Sequence, residues 1–204
     1  GCELLWEIPF QGNYYSMDTT SVSFSQLSSR DWEHLSWFSQ LEHIDATACQ
    51  DFNTIDALLE QYPTCTIDYA IALQMQTCSA DTSCLSLNNA IGLPLKDILS
   101  CMPSLQRITL TGMLPDGELL QQLMEQYPQV TFSWEYTLLG HSFPNTLREM
   151  DLSGIPVETT LQLEKALAYF PQLEKVILVD CGLSDETMDD DNKLVTALCT
   201  DLDA

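Results

Sequence analysis

The sequence predicts an α/β fold in which a parallel ladder of strands forms one face of a solenoid and helices form the other. Three segments beginning at Trp6, Tyr69 and Trp134 align without gaps, at separations of 63 and 65 positions. A second stretch repeats as well: Leu-Met-Glu-Gln-Tyr-Pro at 123–128 matches Leu-Leu-Glu-Gln-Tyr-Pro at 58–63. Regular repetition of this kind is typical of stacked units. We therefore predict a single domain of three super-repeats of about 64 residues, at 1–64, 65–129 and 130–204.

Strands are predicted where apolar residues alternate with polar ones, as in Val130, Phe132 and Trp134. Such alternation indicates a strand with one buried face. The intervals between successive strands, 20 to 24 residues, suit units of one strand and one connecting segment. The predicted strand centres are Phe24, Ile44, Ile67, Leu87, Ile108, Phe132, Leu152 and Val176.

Helices are predicted between many of these strands, because apolar residues recur there three and four positions apart. Examples are the stretches from Ile55 to Tyr62 and from Leu119 to Tyr127, each followed by a proline that ends the helix. The stretches after Ile67 and Phe132 lack this period. We expect them to be hairpin-like insertions, with turns near Met75 and Gly140.

One segment carries a family signature. Leu173, Val176, Leu178, Cys181 and Leu183 fit the pattern L-x-x-L-x-L-x-x-N/C-x-L at every position. The chain thereby resembles the leucine-rich-repeat proteins, particularly irregular bacterial members, and the resemblance covers essentially all of it. It implies a leucine-rich-repeat solenoid, and a secreted or cell-surface module that binds rather than catalyses.

The charge is strongly unbalanced, with 7 Lys and Arg against 30 Asp and Glu and a net charge of −23. A surface of this sign repels phosphate backbones, so a nucleic-acid partner is disfavoured. The sequence has no apolar run of the ~20 residues that span a bilayer, so direct membrane insertion is not expected. The start also has no charged segment followed by an apolar one, so no signal segment is expected in this chain.

The expected partner is a protein, peptide or glycan, and its expected site is the exposed side of the strand ladder. In the pattern L-x-x-L-x-L the leucines point inward and the residues between them face solvent. This register predicts an exposed column of Ser23, Asp45, Asp68, Ser86, Thr109, Ser133, Asp151 and Ile177, flanked by His43 and Arg107. These residues could instead serve only solubility and strand formation.

The cysteines and acidic residues leave alternatives open. Cys78 and Cys84 bracket a polar loop and form either a disulfide or two free thiols. Cys2 is either an inward strand position or a lipid-bearing terminus. The absence of a C-x-x-C pair disfavours zinc. The acidic run from Asp185 to Asp191 begins a helix or collects calcium, but it lacks the spacing of an EF-hand loop.

No cofactor and no catalytic residue is predicted, because nucleophile elbows, phosphate loops and zinc-protease patterns are missing. We expect a non-enzymatic binding module. A spacer that holds another domain away from the cell is one alternative, and an enzyme using a pair of carboxylates is another. We also expect Trp6, Tyr69 and Trp134 to be equivalent, and buried against the helix that precedes each strand.

Overall fold

The structure is a computed structural model that describes residues 6–157 and 160–182. The chain forms two compact units. Within the described residues, the first unit comprises 6–83 and 94–105, and the second comprises 84–93 and 106–182. The middle super-repeat is thus divided between the two units.

The first unit contains a three-stranded parallel sheet, two antiparallel hairpins and three helices. The parallel sheet has the order β3 (Ser21–Ser23), β4 (His43–Ala46) and β5 (Thr66–Tyr69). The hairpins are β1 (Glu7–Phe10) with β2 (Asn13–Ser16), and β6 (Ile71–Leu73) with β7 (Gln76–Cys78). The helices are α1 (Ser29–Leu35), α2 (Phe52–Gln61) and α3 (Leu95–Ser100).

Over its described residues, the second unit contains a four-stranded mixed sheet, a two-stranded parallel sheet and two helices. In the mixed sheet, β8 (Cys84–Asn88), β9 (Arg107–Thr111) and β10 (Thr131–Leu138) are parallel, and β11 (His141–Pro144) returns antiparallel to β10. The small sheet pairs β12 (Glu149–Asp151) with β13 (Lys175–Ile177). The helices are α4 (Gly117–Gln126) and α5 (Thr160–Leu167).

The predicted fold class is wrong. Over the described residues the structure is a mixed α/β arrangement of five small sheets and five helices. It is not a leucine-rich-repeat solenoid with one parallel strand ladder on one face and helices on the other. In the part of the chain that the structure describes, parallel pairing occurs in three separate groups of three, three and two strands, accompanied by three antiparallel hairpin pairs.

The edge of the parallel ladder formed by β8, β9 and β10 shows why no further parallel strand is added beside β10. The side chain of Asn145, only 1% exposed, occupies the place of a next strand beside β10. Its Oδ1 accepts from the backbone N–H of Trp134 at 3.2 Å, and its Nδ2 donates to the carbonyl of Phe132 at 3.0 Å. Buried backbone groups need hydrogen-bond partners. One amide side chain supplies two of them here, so no additional strand is required at this point.

The local predictions are confirmed. Every predicted strand centre lies in or directly beside a strand, and α2 and α4 end just before Tyr62 and Tyr127. The predicted hairpins are β6–β7 and β10–β11. The aligned residues that open the three hairpin turns share a left-handed backbone, with φ of 51° at Gln11, 55° at Gln74 and 52° at Leu139. The repeat is therefore preserved even in its turns, which need positive φ to match the strand twist.

The predicted burial of the three aromatic side chains is confirmed in two copies and wrong in one, so the prediction that the three are equivalent is wrong. Tyr69 and Trp134 are 3% and 2% exposed, whereas Trp6 is 75% exposed. The polar groups of the two buried rings also reach the helix that follows their strand rather than the preceding helix. The Tyr69 hydroxyl donates to the carbonyl of Cys101 at the end of α3, and the Trp134 indole donates to the carbonyl of Tyr169, 3.0 Å away, just after α5.

The predictions at the two ends of the chain lie outside the described residues. They concern Cys2 and the acidic helix expected from Ser184 to Asp203. Among the residues that the structure does describe, no helix combines the length and apolar character required to cross a membrane.

Candidate functional site

The exposed side of the first unit's parallel sheet carries the first group of predicted site residues. Strand register places Ser23, Asp45 and Asp68 directly beside one another on β3, β4 and β5. Their inward neighbours Val22, Ile44 and Ile67 are buried. Alternate residues of a strand face opposite sides of the sheet. The sequence register therefore holds within this unit. We call the outward-facing residues Ser21, Ser23, His43, Asp45 and Asp68 the first strand face.

A hydrogen-bond chain crosses the first strand face. The Oγ of Ser21 lies 2.9 Å from Nδ1 of His43, and Nε2 of His43 lies 2.9 Å from Oδ2 of Asp68. The imidazole is thus bound at both nitrogens, to groups from the strands on either side of β4. Ser21 was absent from the predicted site. Its register partner is His43, so pairing rather than residue type was the signal that could have revealed it.

The carboxylate of Asp45 accepts hydrogen bonds from Thr47, the residue that directly follows β4. Its Oδ1 accepts from the hydroxyl of Thr47 at 2.6 Å and from the backbone N–H of Thr47 at 3.0 Å. The Thr47 hydroxyl first, then the Thr47 N–H and the nearby His43, lower the pKa of Asp45 below its ordinary value. This carboxylate is therefore ionised at neutral pH and is fixed in orientation.

The second unit repeats the arrangement with different chemistry. Register aligns Ser86, Thr109 and Ser133 on β8, β9 and β10, and Arg107 lies on the same side of β9, two residues before Thr109. We call these four residues the second strand face. Arg107 is exposed and forms no ion pair with any residue in the described part of the chain. The second strand face thus offers hydroxyl groups and a cation, whereas the first offers carboxylates.

The predicted residue Asp151 does not belong to the four-stranded mixed sheet. It lies on β12, where it pairs in register with Ile177 of β13. Its Oδ1 accepts from the backbone N–H of Ser153 at 2.9 Å, and the hydrogen bonds from Ser153 lower the pKa of Asp151. Beside it, Lys175 Nζ lies 3.0 Å from Glu149 Oε1. The Asp-x-Thr turn at 45–47 and the Asp-x-Ser turn at 151–153 thus share one hydrogen-bond pattern, in which the N–H two residues later donates to the aspartate.

Cys78 and Cys84 are free thiols in the structure, not a disulfide. Cys78 ends β7 and is buried, and burial raises the pKa of its thiol. Cys84 begins β8 and is exposed. Among the described residues, no three His, Cys, Asp or Glu side chains are grouped so as to hold a metal ion.

The first unit also has two concavities away from the first strand face. An open groove of about 550 Å³ lies between the end of β3 and the start of α2, and Leu27, Cys49 and Asp51 are among its lining residues. A smaller cavity of about 220 Å³ is lined by Trp6, Glu7, Ile8, Met17 and Trp37. The sequence pattern predicts neither concavity. The exposed tryptophans become informative only once burial is known.

In comparisons with known proteins, no protein-family model, no curated protein and no solved structure matches the chain. Functional proposals therefore depend on the geometry of the strand faces and cavities.

Proposed function

We propose that the protein is a non-enzymatic binding module, secreted or displayed on a bacterial cell surface, that engages a protein, peptide or glycan through its exposed strand faces. The observation that carries this proposal is the register of the first strand face. It sets Asp45 beside Asp68, with the orientation of both side chains fixed by hydrogen bonds. Preoriented polar groups lose less conformational freedom on binding than free ones, which favours affinity.

Electrostatics favours a partner with positively charged groups. The chain carries a net charge of −23, and the first strand face contributes two carboxylates on adjacent strands. Complementary charge accelerates encounter and selects among partners. A cationic peptide segment, or a glycan bearing amino groups, satisfies both the carboxylates and the hydroxyl groups of Ser21 and Ser23.

The test is a binding screen of the intact chain against arrays of cationic peptides and of amino-substituted and neutral glycans, at physiological ionic strength. The variant D45N/D68N removes two charges from the first strand face. The matched control E33Q/E60Q removes two exposed charges from helices α1 and α2 of the same unit. We expect the face variant to weaken binding about tenfold, and the helix variant to weaken it far less.

Equal weakening by the two variants would show only nonspecific attraction to an acidic protein. Failure to bind any array member would favour the alternative of a spacer domain. Either result contradicts the proposal.

A second candidate function is hydrolytic, and the hydrogen-bond chain from Ser21 through His43 to Asp68 favours it. With the proton on Nε2 donated to Asp68, Nδ1 of His43 accepts from the Ser21 hydroxyl, which is the polarity required of a general base. Neither groove of the first unit is lined by these three residues. Because these three residues lie on the exposed side of the sheet and line neither of those concavities, binding is the better-supported function.

A fluorophosphonate probe and p-nitrophenyl acetate distinguish the two candidates. A hydrolase would label at Ser21 and lose turnover in S21A, with a smaller loss in D68N. A binding module would show neither labelling nor turnover above that of the S21A variant.

A further inference from the structure

The cavity beside Trp6 lies at the open end of the β1–β2 hairpin, where α1 ends. Glu7 pairs in register with Ser16, so Trp6 immediately before β1 lies opposite Met17 immediately after β2. Trp37 follows α1 by two residues and completes the wall. The two ends of this hairpin and the residue after α1 thus place two indoles and a thioether around one cavity of about 220 Å³.

Three large apolar side chains in the wall of this cavity are exposed to solvent. Trp6 is 75% exposed, Trp37 45% and Met17 37%. The ring of Trp37 packs against the buried ring of His34, with the two ring centroids 4.5 Å apart. A supported aromatic wall keeps its orientation without a ligand, and concave apolar surfaces with a few polar groups are where small ligands bind.

The charge at the cavity is negative. Glu7 is one of the lining residues, and Asp18 directly follows Met17. Arg30 is the single Lys or Arg in the sequence from Trp6 to Phe38. An anionic ligand is therefore disfavoured, and a neutral one would leave the carboxylate of Glu7 unused. The face of an indole carries negative electrostatic potential, so the aromatic walls and the carboxylate favour the same kind of ligand, a cation.

We propose that this cavity binds a methylated ammonium group, held by cation–π contacts with Trp6 and Trp37 and by charge attraction to Glu7. Its volume is below the 300–1,000 Å³ usual for drug-sized ligands, so it suits a head group rather than a whole polymer unit. Methylation matters because it lowers the hydration of the cation and presents apolar surface to the rings. This site is distinct from the first strand face and does not depend on the function proposed for it.

The experiment titrates the intact chain with choline and with 3,3-dimethylbutan-1-ol, a neutral molecule of nearly the same shape, at constant ionic strength. The four tryptophan indole N–H signals serve as reporters in ¹H–¹⁵N spectra. We expect choline to shift the signals of Trp6 and Trp37 while those of Trp32 and Trp134 stay in place. The neutral alcohol should bind at least about fivefold more weakly, because it lacks the charge that the rings and Glu7 attract.

Three variants sharpen the test. W37L should abolish the choline shift at Trp6, and E7Q should weaken choline binding without changing the affinity for the neutral alcohol. Y14L is the matched control, since Tyr14 is a 72% exposed aromatic of the same hairpin and does not line the cavity. It should bind choline like the unaltered chain.

Several results would overturn the proposal. Equal affinity for choline and the alcohol would show a merely apolar pocket, and unmoved Trp6 and Trp37 signals would show no binding. Sedimentation equilibrium tests whether a second copy of the chain occupies the cavity instead. A dimer that dissociates in W6L would show that the two tryptophans contact a second copy of the chain instead.

Discussion

The first and third copies of the repeat treat the same aromatic position in opposite ways, and Tyr69 of the middle copy is buried like the third. In the second unit Trp134 is buried, and its indole donates to the carbonyl of Tyr169. In the first unit Trp6 is exposed beside Trp37. The difference teaches that a repeat position is defined by its surroundings as much as by its residue. At this position the ring is buried in the two copies where a carbonyl at or just after the end of a helix accepts its hydrogen bond.

The largest effect expected from this comparison is on stability. Trp134→Ala should lower the free energy of unfolding by about 3–5 kcal/mol, because it creates a cavity and removes the bond to Tyr169. Trp6→Ala should change it by no more than about 0.5 kcal/mol, as is usual for exposed sites. Urea unfolding followed by circular dichroism measures both. Similar losses in the two variants would mean that Trp6 is as well packed as Trp134.

The next effect tests the closure of β10. Asn145→Leu should cost about 1–3 kcal/mol, because the N–H of Trp134 and the carbonyl of Phe132 lose their partner while buried. Asn13→Leu is the control, since Asn13 is exposed in the first unit's β2 and donates only a 3.5 Å bond within its own turn. Amide hydrogen exchange should accelerate at Trp134 in the Asn145 variant. Unchanged protection there would show that another group closes the strand.

A pH effect on stability should arise from the buried thiol of Cys101 in the first unit. Tyr69 donates to the carbonyl of Cys101, whose own thiol is fully buried. Burial raises the pKa of the Cys101 thiol from its ordinary 9.0 to about 11. A raised pKa in the folded state contributes stability that is complete below pH 9 and is lost as pH rises through about 11.

Thermal unfolding between pH 8 and 11 should therefore show a fall in the melting temperature that becomes shallower in Cys101→Ala. The Tyr69→Phe variant is informative alongside it, because burial also raises the pKa of the Tyr69 hydroxyl. An identical pH slope in Cys101→Ala and the unaltered chain would show that this thiol does not couple folding to pH.

The smallest effect on folding concerns the thiols. Iodoacetamide at pH 8 should modify exposed Cys84 well before buried Cys78, Cys101 and Cys181, with no change in the circular dichroism spectrum. Mass spectrometry of the peptides reads the order of labelling. Protection of Cys84 that disappears after reduction would instead support the Cys78–Cys84 disulfide that sequence analysis left open.

Much of the candidate site follows from the sequence. The column of Ser23, Asp45 and Asp68 was predictable because strand periodicity assigns each residue to a face and the repeat supplies the pairing. The hydrogen bond between Ser21 and His43 was less accessible, since it depends on the side-chain geometry of two exposed residues. The cavity beside Trp6 was not predictable, because repeat symmetry assigned that residue to the core.

The sequence by itself determined the local elements: the positions of the strands and helices, the hairpin turns and the register of the parallel pairs. These depend on alternation, helical period and turn chemistry within about 25 residues. Only the tertiary structure decided how the pairs are grouped into sheets, that Asn145 ends one ladder, and that Trp6 is exposed whereas Trp134 is buried. The physical reason is that the sheet edges and the burial of a ring depend on which distant groups satisfy them. Repeat periodicity carries no information about those partners.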